Sequence, residues 1–141
     1  MTEQRATTSA FLDTNVVLYL LSGDPARADR AEALLAQGGV VSVQVLNEFV
    51  SVAVRKLRLP WPDIREVLAA VRANCTVVPV TAEVHERALD LIEQHSLSVY
   101  DALIVAAALD AGCTTLWTED MQDGRRFDDH LTLRNPFRES H

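Results

Sequence analysis

Short apolar runs alternate along the chain with longer segments whose apolar residues recur at helical spacing. The short runs predict strands at 8–12, 40–41, 75–80 and 114–117, with a fifth edge strand at 131–133. The longer segments predict helices over 16–21, 25–37, 42–57, 63–73, from 81 onward and over 98–112. Residues 119–129 predict a charged loop or a short helix. Strands that alternate with helices favour an α/β fold around a mostly parallel sheet.

Acidic residues follow two of these strands, at the carboxyl ends where parallel sheets place their sites. Asp13 comes directly after the first strand, and Asp120 follows the fourth strand with Thr118 beside it. Each also has a purely structural interpretation, because Asp13 fits a helix N-cap and Asp120 fits a turn. Glu119 and Asp123 are alternative candidates for the role of Asp120. The position of the strands favours Asp13 and Asp120 as partners at one edge of the sheet.

Two more acids stand on predicted helices. Asp101 opens a helix whose next eight residues have no polar face, so a charge enters a buried layer. Its structural alternative is the capping box that begins at Ser98. Glu48 lies on a polar stripe of the helix after the second strand, and its alternative is a solvated helix face. If that stripe borders the edge of the sheet, Glu48 joins the other carboxylates.

Several carboxylates brought together repel one another, and a hard divalent cation relieves that repulsion. Mg²⁺ or Mn²⁺ prefers oxygen ligands, and such an ion can activate a water against a phosphate ester. Cys75 and Cys113 lie 38 positions apart without a CxxC motif, and the four histidines show no ligand spacing. This pattern excludes thiolate zinc and redox chemistry. The acids therefore predict a magnesium or manganese site.

The composition is that of a globular domain, with 48% hydrophobic and 23% charged residues among 141. We expect one domain over 1–141, with a core over about 10–135 and a short polar N-terminal tail. The longest wholly apolar run covers only 102–109, far below the ~18 residues that cross a membrane. The first eight residues contain no apolar signal segment, so we expect no membrane association and a cytoplasmic protein.

A net charge of −7 lacks the overall basic character of most nucleic-acid-binding proteins. Any contact with nucleic acid must therefore come from a metal, a partner or a local basic patch. Two short clusters of basic residues are candidates for holding backbone phosphates, with solvated surface charge as the alternative: Arg55, Lys56 and Arg58, and Arg125 with Arg126.

Four segments around these acids resemble the acidic motifs of one enzyme family. They read FLDTNVV at 11–17, SVQVLNEF at 42–49, YDALIVAA at 100–107 and LWTEDM at 116–121. In this order they resemble the motifs of PIN-domain ribonucleases, most closely the VapC toxins of bacterial toxin–antitoxin pairs. The resemblance covers about 10–135, and the four motifs together are far more specific than any one of them.

The resemblance implies a three-layer α/β/α sandwich with a sheet of four to five strands, and Mg²⁺- or Mn²⁺-dependent cleavage of RNA. It implies a homodimer and a cognate antitoxin whose tail blocks the site. Asp13 and Asp101 would be the most direct metal ligands. The implied site comprises an acidic quartet, Asp13, Glu48, Asp101 and Asp120, with Thr14, Asn15 and Thr118 in support.

Two other classes of function compete with this interpretation. A receiver-like phosphorylation switch also has an acidic Mg²⁺ pocket, but it uses a lysine at the end of a late strand. The only lysine here is Lys56, on a predicted helix before the third strand. A non-catalytic protein-interaction module, in which the acids are caps and surface charges, would bind no metal.

Overall fold

The computed structural model describes residues 10–138, which form one six-stranded sheet between layers of helices. The strands are Ala10–Leu12 (β1), Val40–Ser42 (β2), Thr76–Val78 (β3), Thr115–Trp117 (β4), Arg126–Phe127 (β5) and Leu131–Arg134 (β6). The helices are Thr14–Leu18 (α1), Pro25–Ala36 (α2), Val43–Arg55 (α3), Trp61–Asn74 (α4), Ala82–His95 (α5) and Val99–Asp110 (α6). A 3-10 turn, Tyr19–Leu21, extends α1.

The strand order is β3-β2-β1-β4-β6-β5. All neighbours from β3 to β6 run parallel, and only β5 runs antiparallel, against β6. The chain builds β2 and β3 on one side of β1, and β4 and β6 on the other. The direction of winding therefore reverses between β1 and β4, which is where open α/β sheets form their ligand crevice. The predicted α/β/α sandwich with a mostly parallel sheet is confirmed.

The far edge of the sheet differs from the prediction. Residues 131–133 belong to β6, which extends to Arg134. They do not form the edge strand, because β6 lies between β4 and β5. The predicted loop or short helix at 119–129 contains β5, which makes the sheet six-stranded rather than four- or five-stranded. Its two residues are too few to show alternation, and Asp128 and Asp129 make the turn with positive φ. A strand this short is specified by its partner β6.

The third strand is shorter than predicted, and the first is described only in part. The predicted strand 75–80 stops at Val78, because Pro79 has no backbone N–H to donate to a neighbouring strand. Of the predicted strand 8–12, the structure describes Ala10–Leu12. The remaining two positions, 8 and 9, and the predicted polar tail lie outside the described residues.

Local sequence explains how the helices begin. The side chains of Ser42, Thr81 and Ser98 each accept a hydrogen bond from the third residue that follows, at 3.1–3.3 Å. Of the twelve residues of α6, seven are buried, in keeping with the missing polar face. Within the described part of the chain, no helix has both the length and the apolar character needed to cross a membrane.

A glycine sets the approach of β2 to β1. Gly39 has a φ of +146°, and a Cβ at this position would lie 2.7 Å from the carbonyl oxygen of Ala10. Only glycine fits here without displacing the backbone of β1. The close approach fixes the central strand, and Asp13 follows that strand directly.

Candidate active site

Asp13 stands at the end of β1 and is buried, with 6% of its surface exposed. Its Oδ1 accepts a hydrogen bond of 2.7 Å from the backbone N–H of Thr14, as an N-cap does. Its Oδ2 accepts a second bond of 2.7 Å from the hydroxyl of Thr118, which follows β4. The backbone N–H of Asp13 also donates to the carbonyl of Trp117 at 3.0 Å. Asp13 can therefore cap α1 and at the same time lie at the crevice between β1 and β4.

The electrostatics of the site connect the predicted acids. Burial, with smaller contributions from the charges of Asp120 and Asp101, raises the pKa of Asp13 to about 6, against the hydrogen bonds from Thr118 and Thr14. Burial also raises the pKa of Asp101, and the charges of Asp120 and Glu48 add to that rise. Charges of the neighbouring acids thus disfavour the ionisation of Asp13 and of Asp101. Such mutual repulsion marks a site that gains from a bound cation.

Glu48 reaches the same region from α3. The hydroxyl of Thr14 donates to its Oε1 at 2.8 Å, and the amide of Gln44 donates to its Oε2 at 3.1 Å. The polar stripe of α3 therefore faces the site at the end of β1, and Glu48 is half-buried there. Gln44 also donates a 3.4 Å bond to the carbonyl of Tyr100, which links α3 to the start of α6.

Three acids compete for the position after β4, and their partners differ. Glu119 accepts hydrogen bonds from the hydroxyl of Tyr19 at 2.7 Å and from Arg27 at 2.8 Å. Asp123 accepts the backbone N–H of Asn135 at 2.8 Å. Asp120 lines the crevice, and its backbone N–H donates to Thr118 at 3.3 Å. The geometry favours Asp120 as the acid that faces the site.

An open cleft of ≈ 960 Å³ lies above these residues. Residues from α1, α3 and the turn after β4 line it: Thr14, Asn15, Gln44, Glu48, Ser51, Arg55 and Asp120 among them. Both polar atoms of the Asn15 amide are buried without a hydrogen-bond partner among the described residues. An unsatisfied amide at the wall of a cleft is a ready donor and acceptor for a ligand.

The two basic clusters lie at different distances from the cleft. Arg55 lines it and donates to Ser51 at 3.1 Å, while Lys56 and Arg58 are exposed just beyond the end of α3. Lys56 therefore does not stand at a strand end, as a receiver-like site requires.

The second cluster is separated from the cleft. Arg125 and Arg126 lie at β5, which β4 and β6 separate from β1. The guanidinium of Arg125 lies 4.7 Å from the ring centroid of Phe127, and Arg126 donates to the carbonyl of Asp129 at 3.0 Å. The structure therefore does not bring this pair to the acidic residues.

Sequence reasoning missed the network of Tyr19, Arg27 and Glu119. Glu119 lies 92 positions from Arg27 and 100 positions from Tyr19, and no local pattern indicates these contacts. Gln44 belonged to the predicted polar stripe, but its bond to Glu48 was not foreseen.

The chain belongs to the PIN domain family, whose model matches residues 10–128. No curated protein matches the sequence. Among solved structures, a toxin–antitoxin complex from Klebsiella pneumoniae is similar, with 23% identity and a TM-score of 0.69 over 92% of this chain and 98% of that one.

Two further structures share the fold. VapC20 of Mycobacterium tuberculosis, described as a sarcin–ricin loop cleaving toxin, has 24% identity and a TM-score of 0.62 over 79% of this chain and 90% of its own. VapBC2 of Rickettsia felis, bound to a promoter DNA fragment, has 21% identity and a TM-score of 0.66 over 91% and 98%. At these identities the likeness concerns the fold.

Proposed function

We propose that this protein is a metal-dependent endoribonuclease and the toxin of a toxin–antitoxin pair, acting in the cytoplasm. The observation that carries the proposal is the placement of the predicted acids around the crevice between β1 and β4. Asp13 and Asp120 follow these neighbouring strands, Thr14 next to Asp13 donates to Glu48, and the charges of Asp120 and Glu48 act on Asp101. The fold shared with a toxin described as cleaving the sarcin–ricin loop supports RNA as the substrate class.

The donor set fits a hard divalent cation, because it consists of carboxylate and amide oxygens. No three His, Cys, Asp or Glu side chains within residues 10–138 are grouped tightly enough to ligate one ion directly. Mg²⁺ commonly keeps several waters, so Asp13 and Asp101 would hold it directly and Glu48 and Asp120 through water. When bound, the ion supplies positive charge to the scissile phosphate and lowers the pKa of the attacking water.

The residues of the chain orient this donor set. Thr118 and the backbone of Thr14 fix both oxygens of Asp13, so little reorganisation is needed on binding. Thr14 also holds Glu48 through its hydroxyl, so one threonine connects two of the acids. The amide of Asn15, which has no hydrogen-bond partner among residues 10–138, would hydrogen-bond a phosphate oxygen or a water, and Arg55 would hold a phosphate at the α3 side of the cleft.

We further propose that a cognate antitoxin blocks this cleft. Exposed apolar side chains stand around the acids, on Val43, Val80 and Tyr100, and they suit an amphipathic segment of a partner. An arginine of that segment would pair with the carboxylates, since a guanidinium binds carboxylates bidentately. A cognate complex whose segment lies away from Asp13 would refute this. We also expect a homodimer, in which two sites flank one RNA-binding groove.

The test is a cleavage assay on purified protein without antitoxin. Structured and unstructured RNAs are incubated with Mg²⁺, with Mn²⁺ and with chelator, and the products are mapped. Asp101→Asn is the inactive variant, and Asp110→Asn, at the exposed opposite end of α6, is its matched control. We expect metal-dependent cutting that only Asp101→Asn abolishes.

Two other results would contradict the proposal. Cutting that survives Asp101→Asn would show that the site is misassigned or that the activity is a contaminant. The absence of both cutting and any Mn²⁺-induced thermal shift would leave a protein-interaction module.

A further inference from the structure

A second groove, of ≈ 640 Å³, lies next to the cleft. Its walls come from α2, from the ends of β4 and β6 and from the segment after β6. Arginine and aromatic side chains dominate the lining: Arg27, Arg30, Trp117, Arg134, Phe137 and Arg138. The turn after β4 separates it from the cleft, because Trp117 and Asp123 line the groove while Asp120 lines the cleft. We call it the arginine groove.

The arginine groove has a surplus of positive charge in a chain whose net charge is −7. It holds four arginines and two aspartates. Asp24 lies 3.8 Å from Arg27, and Asp123 lies 3.4 Å from Arg138, so each acid has an arginine of its own. The other two arginines give the groove its excess charge.

Arg30 and Arg134 are those two arginines. Over residues 10–138, no carboxylate lies within 4 Å of either guanidinium. The Nε of Arg30 donates to the carbonyl of Pro136 at 2.9 Å, and the guanidinium lies 5.3 Å from the ring centroid of Trp117. Arg134 ends β6 directly beside Trp117 on β4. Both charges are thus held at the same end of the sheet as the acids.

Arg27 is fixed in place between two aromatic rings. Its guanidinium lies 4.7 Å from the centroid of Tyr19 and 4.8 Å from that of Phe137, and it donates to Glu119 at 2.8 Å. Because Arg27 is already held in place, it maintains the shape of the groove and loses little side-chain entropy when a ligand binds there. Planar guanidiniums bind phosphates through two parallel hydrogen bonds, and nucleobases stack on them.

We propose that the arginine groove binds the backbone of single-stranded RNA on one side of the cut, and this rests on the proposed function. The groove and the acids share a backbone connection, since the carbonyl of Trp117 accepts the N–H of Asp13 at 3.0 Å. In this proposal, an RNA strand passes from the cleft across the turn after β4, where Asp120 lines the cleft and Asp123 lines the groove, and its phosphates then meet Arg30 and Arg134. Arg55 holds the strand on the opposite side of the cleft. The acidic chain thereby gains a local basic surface where its substrate needs one.

The test measures binding without cutting. A labelled single-stranded RNA is titrated with the metal-free protein in chelator, over a range of salt concentrations, by fluorescence anisotropy. We expect Arg30→Ala and Arg134→Ala each to weaken binding several-fold and to lower the salt slope by about 0.7, the value for one phosphate contact on a single strand. Arg65→Ala, exposed on α4 outside both cavities, is the matched control. Arg134→Glu, which leaves the backbone pairing of β6 untouched, should weaken binding more.

The outcomes separate this proposal from the nuclease itself. If all groove variants bind RNA as the wild type does, the groove proposal fails, even when the wild type cuts RNA and Asp101→Asn does not. If the variants bind RNA weakly and the wild type cuts none, the groove stands and the nuclease fails. Melting temperatures equal to that of Arg65→Ala show that the variants are folded.

Discussion

The hydroxyl of Thr118 donates a 2.7 Å hydrogen bond to Oδ2 of Asp13, across 105 positions of sequence. Thr118 has no exposed surface, and Asp13 is buried beside it. This bond connects the exits of β1 and β4, and it opposes the burial that raises the pKa of Asp13. The position of the first acid therefore depends on a residue of the fourth motif.

Replacing Thr118 by valine should destabilise the protein and reduce RNA cutting. Valine has nearly the same shape but no hydroxyl, so it leaves a buried carboxylate oxygen without a donor. The free energy of unfolding should fall by about 1–3 kcal/mol at neutral pH. This drop in the free energy of unfolding should become smaller below pH 6, because the hydroxyl of Thr118 stabilises a protonated Asp13 less than an ionised one. Urea unfolding at several pH values measures these free energies, and Thr118→Ser is the control that keeps the hydroxyl. A drop in the free energy of unfolding that is equal at every pH would contradict the prediction.

Asp13→Asn should abolish cutting and stabilise the protein at alkaline pH. The pKa of Asp13 rises from 3.8 to about 6 on folding, so the folded state binds more protons between these values. The contribution of Asp13 to the free energy of unfolding is therefore complete below pH 3.8, and it is lost as the pH rises through about 6. A rise in pKa of about two units lowers the free energy of unfolding at neutral pH by roughly 3 kcal/mol, and Asp13→Asn removes that loss.

The measurement is the free energy of unfolding from pH 4 to 8, in chelator, for the wild type and Asp13→Asn. The difference between the two proteins should grow in favour of the variant up to about pH 7. Two parallel pH profiles would show that Asp13 has an ordinary pKa in the folded protein.

Asp120→Asn and Glu119→Gln should separate the two neighbouring acids. Asp120 lines the cleft, so its loss should lower cutting by about 10- to 100-fold, as for residues that support a metal through water. Glu119 is bound by Tyr19 and Arg27, so Glu119→Gln should lower the melting temperature and leave cutting nearly unchanged. Rates and melting temperatures of both variants test this. The opposite pattern would assign the role to Glu119.

The sequence predicted what depends on short-range patterns. The helices predicted over 42–57, from 81 onward and over 98–112 are present, and Ser42, Thr81 and Ser98 cap them, because a cap is decided within four residues. The alternation of strands and helices likewise predicted the parallel sheet and placed Asp13 and Asp120 at the carboxyl ends of two strands, which the structure shows to be neighbours.

What the sequence did not predict depends on distant contacts. The arginines of the second groove are scattered between Arg27 and Arg138, so no window of sequence groups them. The adjacent pair Arg125 and Arg126 was predicted as a phosphate-binding cluster because it is contiguous, yet it lies at the start of β5, the outermost strand. Neighbours in sequence and neighbours in space differ most for long, exposed side chains.

Calorimetric titration with Mn²⁺ tests most directly whether the four carboxylates form one metal site. The wild type, Asp13→Asn, Asp101→Asn and Asp110→Asn are compared under the same conditions, without RNA. We predict that the wild type and Asp110→Asn bind Mn²⁺ alike, and that Asp13→Asn and Asp101→Asn lose most of that affinity. Equal Mn²⁺ affinity in all four proteins, or no binding by the wild type, would contradict a metal site built on these acids.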